Sequence, residues 1–186
     1  MNPYCQHCLE HPEDFLNNLY HANEYGYPAP SDDALFERLV LEINQAGLSW
    51  NTVLKKAAAF REAFDGFSVA KVAAYSEADI DRLLANPNII RNRKKIEAAI
   101  RNAQVIHSLH GFGSSFKVWL DSRLCLPADE WVSEFKNTFV FTGSEIVKEF
   151  LLSTGYLEGA HSPDCVFYQR VLESSPPWTH LKHPIK

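Results

Sequence analysis

The chain has 186 residues, 46% of them hydrophobic, with four cysteines and a formal net charge of −5. That size suits one globular unit with an ample core and room for two lobes. The acidic balance excludes a protein that coats nucleic acid by bulk charge, though not one with a local basic surface. No apolar run approaches the roughly 18 residues that span a bilayer, and the N-terminal stretch does not read as a signal peptide. A cytosolic protein without membrane contact is expected, in which cysteines serve as thiols or metal ligands rather than disulfides.

Residues 1–30 are rich in Cys, His, Tyr, Asn and Pro, with one short helix expected around Asp14 to His21. Ser31 then caps a helix with Asp32 and Asp33 in its positive first turn and Leu35, Phe36, Leu39, Val40 and Ile43 on one face. Glu42 falls at the edge of that stripe. A glutamate there is most often solvated, but Gly47 breaks the pattern at once, and Ser49 can cap a second helix carrying Trp50, Val53, Leu54, Ala57, Phe60 and Phe64. Two helices therefore meet at Gly47 and Leu48, with Glu42 and Trp50 on either side of the corner.

A short helix is expected from Ser68, and Ser76 to Asp79 reads as a capping-box variant before Ile80, Leu83 and Leu84. Asn86-Pro-Asn-Ile-Ile90 stops that helix, and a longer one follows from Arg91 to Ser108. Pro87 cannot continue a helix and Asn88 tolerates a left-handed backbone, so the link is a tight hairpin. Its outward N–H groups and the next helix N-terminus suit an anion. Arg91, Arg93 and Lys94 open a run with five positive side chains and one Glu up to Arg101; the plain alternative is a solvated basic face. Phe116, Trp119 and Leu120 suggest another short helix, and Thr142-Gly-Ser-Glu145 reads as a capping box before a helix closed by Gly155. Leu124 to Asn137 and the Pro- and His-rich tail from Ser174 to Lys186 carry no firm pattern. No strand series is visible, so the fold class is all-α.

Cys8 and His21 near one end and His161 and Cys165 near the other make a complete tetrahedral zinc set. Cys5, three residues before Cys8, is a competing ligand. Such a clip would tie down two chain-distant loose segments. Four protein ligands would close it, so the metal would be structural.

The blocks Tyr20-His-Ala-Asn-Glu-Tyr-Gly26, Leu41-Glu-Ile-Asn-Gln-Ala-Gly-Leu-Ser-Trp50, Val53-Leu-Lys-Lys56 and Asn88-Ile-Ile-Arg-Asn-Arg-Lys-Lys-Ile96 resemble the bacterial DNA-3-methyladenine glycosylase I family, the Tag type. The resemblance covers roughly Cys8 to Cys165. It implies a helix-hairpin-helix DNA glycosylase of one domain, 1–186, with one lobe from about 1–30 plus 112–186 and the hairpin lobe about 31–111. It implies base-excision repair of alkylated double-stranded DNA in the bacterial cytosol by a monomer, with 3-methyladenine as the released base and one structural Zn2+ on Cys8, His21, His161 and Cys165.

In that light Glu42 would favour the cationic base, Trp50 and Tyr20 would wall its pocket, and Leu48 beside Gly47 would fill the gap left by the flipped nucleotide. The hairpin at Asn88 and Ile89 would hold a DNA phosphate, with Arg91, Arg93 and Lys94 as added contacts. Hydrolysis would be monofunctional, Lys55 and Lys56 being surface or structural. The chain departs from the family at Glu10, where Trp is usual, at Asn17, where an aromatic is usual, and more mildly at Tyr25. Each lost stacking contact would remove about 1–3 kcal/mol of base affinity. The alternative is a silent or altered-specificity module that binds damaged or abasic DNA.

Overall fold

The computed structural model describes residues 1–181, which are helical with no strand. In chain order the helices are α1 (Pro3–Glu10), α2 (Phe15–Asn23), α3 (Asp32–Gln45), α4 (Trp50–Leu54), α5 (Ala57–Ala63), α6 (Val69–Ala73), α7 (Glu77–Ala85), α8 (Arg93–Gly111), α9 (Phe116–Asp121), α10 (Ala128–Thr138), α11 (Ser144–Ser153) and α12 (Tyr168–Glu173). Short 3-10 turns occupy Asp65–Phe67 and Pro177–Leu181.

Local chemistry sets most boundaries. The Ser31 hydroxyl accepts from the Ala34 N–H at 3.1 Å at the start of α3, and the Asp79 carboxylate accepts from the Ser76 N–H at 2.9 Å at the start of α7. Two expectations change. The single helix foreseen from Trp50 to Phe64 is broken at Lys55 and Lys56, where Lys56 Nζ turns away to the Asn88 carbonyl at 3.0 Å and so ties the break to the hairpin. Thr142 does not cap α11, because its hydroxyl donates to the Phe139 carbonyl at 3.2 Å; Gly143 is the N-cap and supplies no side chain.

α3 is the central element. Leu35, Phe36, Leu39, Val40 and Ile43 are 0–2% exposed, and the helix packs on α4, α6, α8, α9 and α11. Fully buried Phe60, Phe64 and Phe67 fill one side, and Trp131, Phe135, Phe116 and Phe150 the other. At about 25 cal/mol per Å² of apolar surface, these rings supply much of the driving force. The two expected lobes share this core, since α3 of one packs on α9 and α11 of the other. A smaller cluster of Tyr20, Tyr25, Leu152 and Ala160 lies beside it. Among the described residues no helix is long and apolar enough to cross a membrane.

Candidate active site at the helix corner

At the end of α3 the chain must reverse, and Gly47 adopts φ +81° to do so. An added Cβ would meet nothing within 4 Å, so the requirement for glycine comes from backbone conformation rather than crowding. The Leu48 N–H donates to the Gln45 carbonyl at 2.7 Å, and the Leu48 side chain projects into solvent, 41% exposed. Ser49 then caps α4 through the Thr52 N–H at 3.2 Å.

The corner is fastened from an unexpected side. Lys95 belongs to the basic run after the hairpin, yet it is buried, and its ammonium donates to the carbonyls of Asn44 at 2.9 Å and Ala46 at 2.7 Å. It thereby satisfies carbonyls left open at the α3 C-terminus, where a cation also suits the helix dipole. Lys95→Met should cost about 2–4 kcal/mol of stability, because the carbonyls lose charge-assisted partners. It should also blur the position of Leu48, and denaturant melts together with amide exchange at the corner check both effects.

Beside the corner lies a cavity of about 330 Å³ whose walls include Tyr4, Tyr20, Tyr25, Glu42, Trp50 and Glu149. Glu42, expected at a boundary, is only 4% exposed. Burial, reinforced by the neighbouring charge of Glu149 and opposed by Arg38, pushes its carboxyl up to about 8. Tyr20 and Trp50 meet edge to face at 5.0 Å, and Tyr4 and Tyr25 do the same at 5.0 Å. The buried Tyr20 hydroxyl faces the Arg38 guanidinium, and the buried Trp50 indole N–H faces the Tyr4 hydroxyl. The Arg38 guanidinium stands over the Tyr20 ring at 4.8 Å while pairing with Glu24 at 3.0 Å. A cavity with aromatic faces and one buried carboxylate suits a flat cationic heterocycle that carries its own donors.

Sequence reasoning missed Tyr4. Helix α1 brings it to the wall where Glu10 and Asn17 had left aromatics missing. Glu10 is exposed and accepts from Gln6 at 2.8 Å, away from the cavity. Asn17 is buried; its Oδ1 accepts from the Tyr4 hydroxyl at 3.0 Å and its Nδ2 donates to Asp14 at 2.8 Å. The small amide thus leaves room for the Tyr4 ring and holds its hydroxyl. Tyr4→Ala should weaken binding of such a heterocycle about 10- to 100-fold, the worth of one stacking contact, as a fluorescence titration with a cationic purine would show.

The hairpin forms between α7 and α8. The Asn88 N–H is used by Asn86 Oδ1 at 2.9 Å, and the Ile89 side chain is buried. The backbone N–H groups of Ile89 and Ile90 make no hydrogen bond among the described residues. Arg91 and Lys94 are exposed beside them. Arg93, also exposed, pairs on the surface with Glu77, with Asp81 at 3.1 Å and with Glu97 at 3.6 Å.

The metal set also changes by one residue. Cys5, not Cys8, joins His21, His161 and Cys165, all four buried, with donor atoms within 4.8 Å of one another. Cys5 Sγ lies 3.3 Å from His21 Nε2, and Cys165 Sγ lies 3.2 Å from His161 Nδ1. The reason for the correction is α1: Asn2 caps it and Pro3 opens it, and the helix turns Cys5 toward the histidines while Cys8 sits one turn further on beside Tyr4 and Asp14. Tetrahedral zinc with two sulfur and two nitrogen ligands needs donor separations of about 3.3–3.8 Å, so these residues fit such an ion. His161 Nε2 faces the Tyr25 carbonyl at 2.8 Å, which turns its Nδ1 to the cluster. Gly26, at φ +82°, lets the chain pass, because a Cβ there would stand 2.8 Å from Ala160 Cβ and 3.2 Å from the His161 ring.

Residues 11–137 match the methyladenine glycosylase family. The chain is 34% identical over 165 residues to the DNA-3-methyladenine glycosylase of Haemophilus influenzae, covering 78% of this chain and 89% of that protein. It is 45% identical over 104 residues to DNA-3-methyladenine glycosylase 1 of Escherichia coli, 56% of each chain. A solved Tyr-to-Phe variant of 3-methyladenine DNA glycosylase I (TAG), in complex with 3-methyladenine, superposes with a TM-score of 0.75 at 34% identity, covering 81% of this chain and 91% of the other. Sequence family, fold and corner agree, and the chain belongs to the methyladenine glycosylase family.

Proposed function

We propose that this protein is a monofunctional DNA glycosylase that flips 3-methyladenine out of alkylated duplex DNA and hydrolyses its N-glycosidic bond. The observation that carries this is Glu42: a carboxylate buried in an aromatic cavity, immediately beside an exposed Leu48 on a rigid turn. Alkylation at N3 makes the purine a cation and a good leaving group, so the protein needs to select and orient the base more than to protonate it. Glu42 ionises as the cation enters, and Tyr20, Trp50, Tyr25 and Tyr4 offer it π-faces. Neutral adenine does not repay the ionisation of Glu42.

In this reading the helix-hairpin-helix unit α7–α8 holds a phosphate through the Ile89 and Ile90 N–H groups, aided by Arg91 and Lys94, while Leu48 occupies the stack. Cys5, His21, His161 and Cys165 hold one zinc ion, whose four ligands leave no position for substrate, so it would supply folding energy rather than chemistry. A monomer acting in the cytoplasm fits a target of this kind. The test is release of free 3-methyladenine from methylated duplex DNA, with borohydride trapping in parallel. Base release without a trapped covalent adduct is expected; no release, or an adduct, would overturn it.

A further inference from the structure

The base cavity adjoins a second groove of about 540 Å³ that runs under Leu48 and along the open N-terminal turn of α11. Among the described residues only three, Glu42, Gln45 and Glu149, line both. When a nucleotide is flipped, its base fills the cavity and the wedge fills the stack, so the deoxyribose must lie where the two spaces meet. Glu42 is sunk on the base side and Gln45 is neutral. Glu149 is half-buried, and its Oε2 accepts from the Tyr25 hydroxyl at 3.4 Å, which leaves Oε1 for the opening.

Resting on the glycosylase reading above, we infer that Glu149 is a further catalytic residue, a carboxylate that faces C1′ of the flipped nucleotide. As the C1′–N9 bond breaks, its electron pair goes to the purine, which leaves as the neutral base, and positive charge develops at C1′ and the ring oxygen. The Glu149 carboxylate stabilises that charge. Water then adds to C1′ and gives its proton to Glu149, which returns it to solvent. Partial burial raises the carboxyl above the ordinary range, a direction that suits a group which must take up a proton, while Lys148 and the Tyr25 hydroxyl hold it charged and Glu145 opposes them. The base has π-faces in Tyr20, Trp50, Tyr25 and Tyr4 and a charge partner in Glu42, none of which depends on Glu149.

Base affinity and bond breakage should therefore separate. Glu149→Gln should lower the single-turnover rate of 3-methyladenine release about 10- to 100-fold. Free 3-methyladenine should bind equally well or more tightly, because removing this charge eases ionisation of Glu42. Glu149→Asp should recover part of the rate, and base binding reports that each variant is folded. A Glu149→Gln rate within threefold of an active wild type, or a rate and base affinity that fall by the same factor, would overturn the inference. A wild type that releases no base would instead sink the glycosylase reading, and this inference with it.

Discussion

Glu42→Gln should reduce kcat/KM for 3-methyladenine release by about 100-fold or more at pH 8, while making the free protein more stable. Glutamine keeps the shape and loses the charge that the cationic base needs. The pH dependence follows from burial, which holds the Glu42 carboxyl near 8. Below that pH the free protein carries Glu42 protonated, so kcat/KM for a cationic base should rise up to tenfold per pH unit and level off above about 8. The glutamine variant should lack this limb. For stability, the folded value lies above the unfolded one near 4.3, so between them the folded state binds more protons. Its contribution is whole below the unfolded value and is lost as pH rises through about 8. Glu42→Gln should therefore gain on the order of a few kcal/mol over wild type at pH 9 and little at pH 4. Unfolding at both values, beside excision profiles from pH 6 to 9, would check it; equal activity in the two proteins would remove Glu42 from the mechanism.

Cys5→Ser and Cys8→Ser should differ more than any other neighbouring pair of substitutions. Wild type should contain one zinc per chain. Cys5→Ser should lose it, and with it most stability and excision activity, because structural zinc contributes about 10 kcal/mol or more to folding in small domains. Cys8→Ser should keep the metal and lose only about 1–2 kcal/mol as a buried thiol is replaced. Metal analysis and thermal melts decide it, and zinc retained by Cys5→Ser would return the ligand role to Cys8.

The corner was legible in the sequence because its signals are local: apolar spacing along α3, a glycine and a serine cap within three residues. Trp50 and Glu42 could be placed at it for the same reason, whereas Tyr20, on α2, was placed at the pocket by family resemblance alone. Tyr4 and Cys5 could not, since their roles depend on where α1 docks, which no local pattern states. The Asn2-Pro3 start was the available clue, a good cap followed by the residue best suited to a first turn. Lys95 was hidden differently. A lysine among arginines and lysines reads as solvated charge, and only the packing of α8 on α3 shows that it ends in two carbonyls. Thr142 illustrates the converse, a correct capping pattern forgone because the hydroxyl has a nearer partner in Phe139.

Helix α1 places Tyr4 against the aromatic cavity and Cys5 among the Cys and His side chains that could hold a metal, on consecutive residues. At eight residues it is too short to persist undocked, so lifting it would release a ring and a ligand in one event. Amide exchange along α1 should then open at a free energy below that of α3 and rise sharply with added zinc. On heating, loss of excision should precede loss of ellipticity. Such an enzyme would fail in warm or metal-poor cells by local opening, with most of its helices still in place.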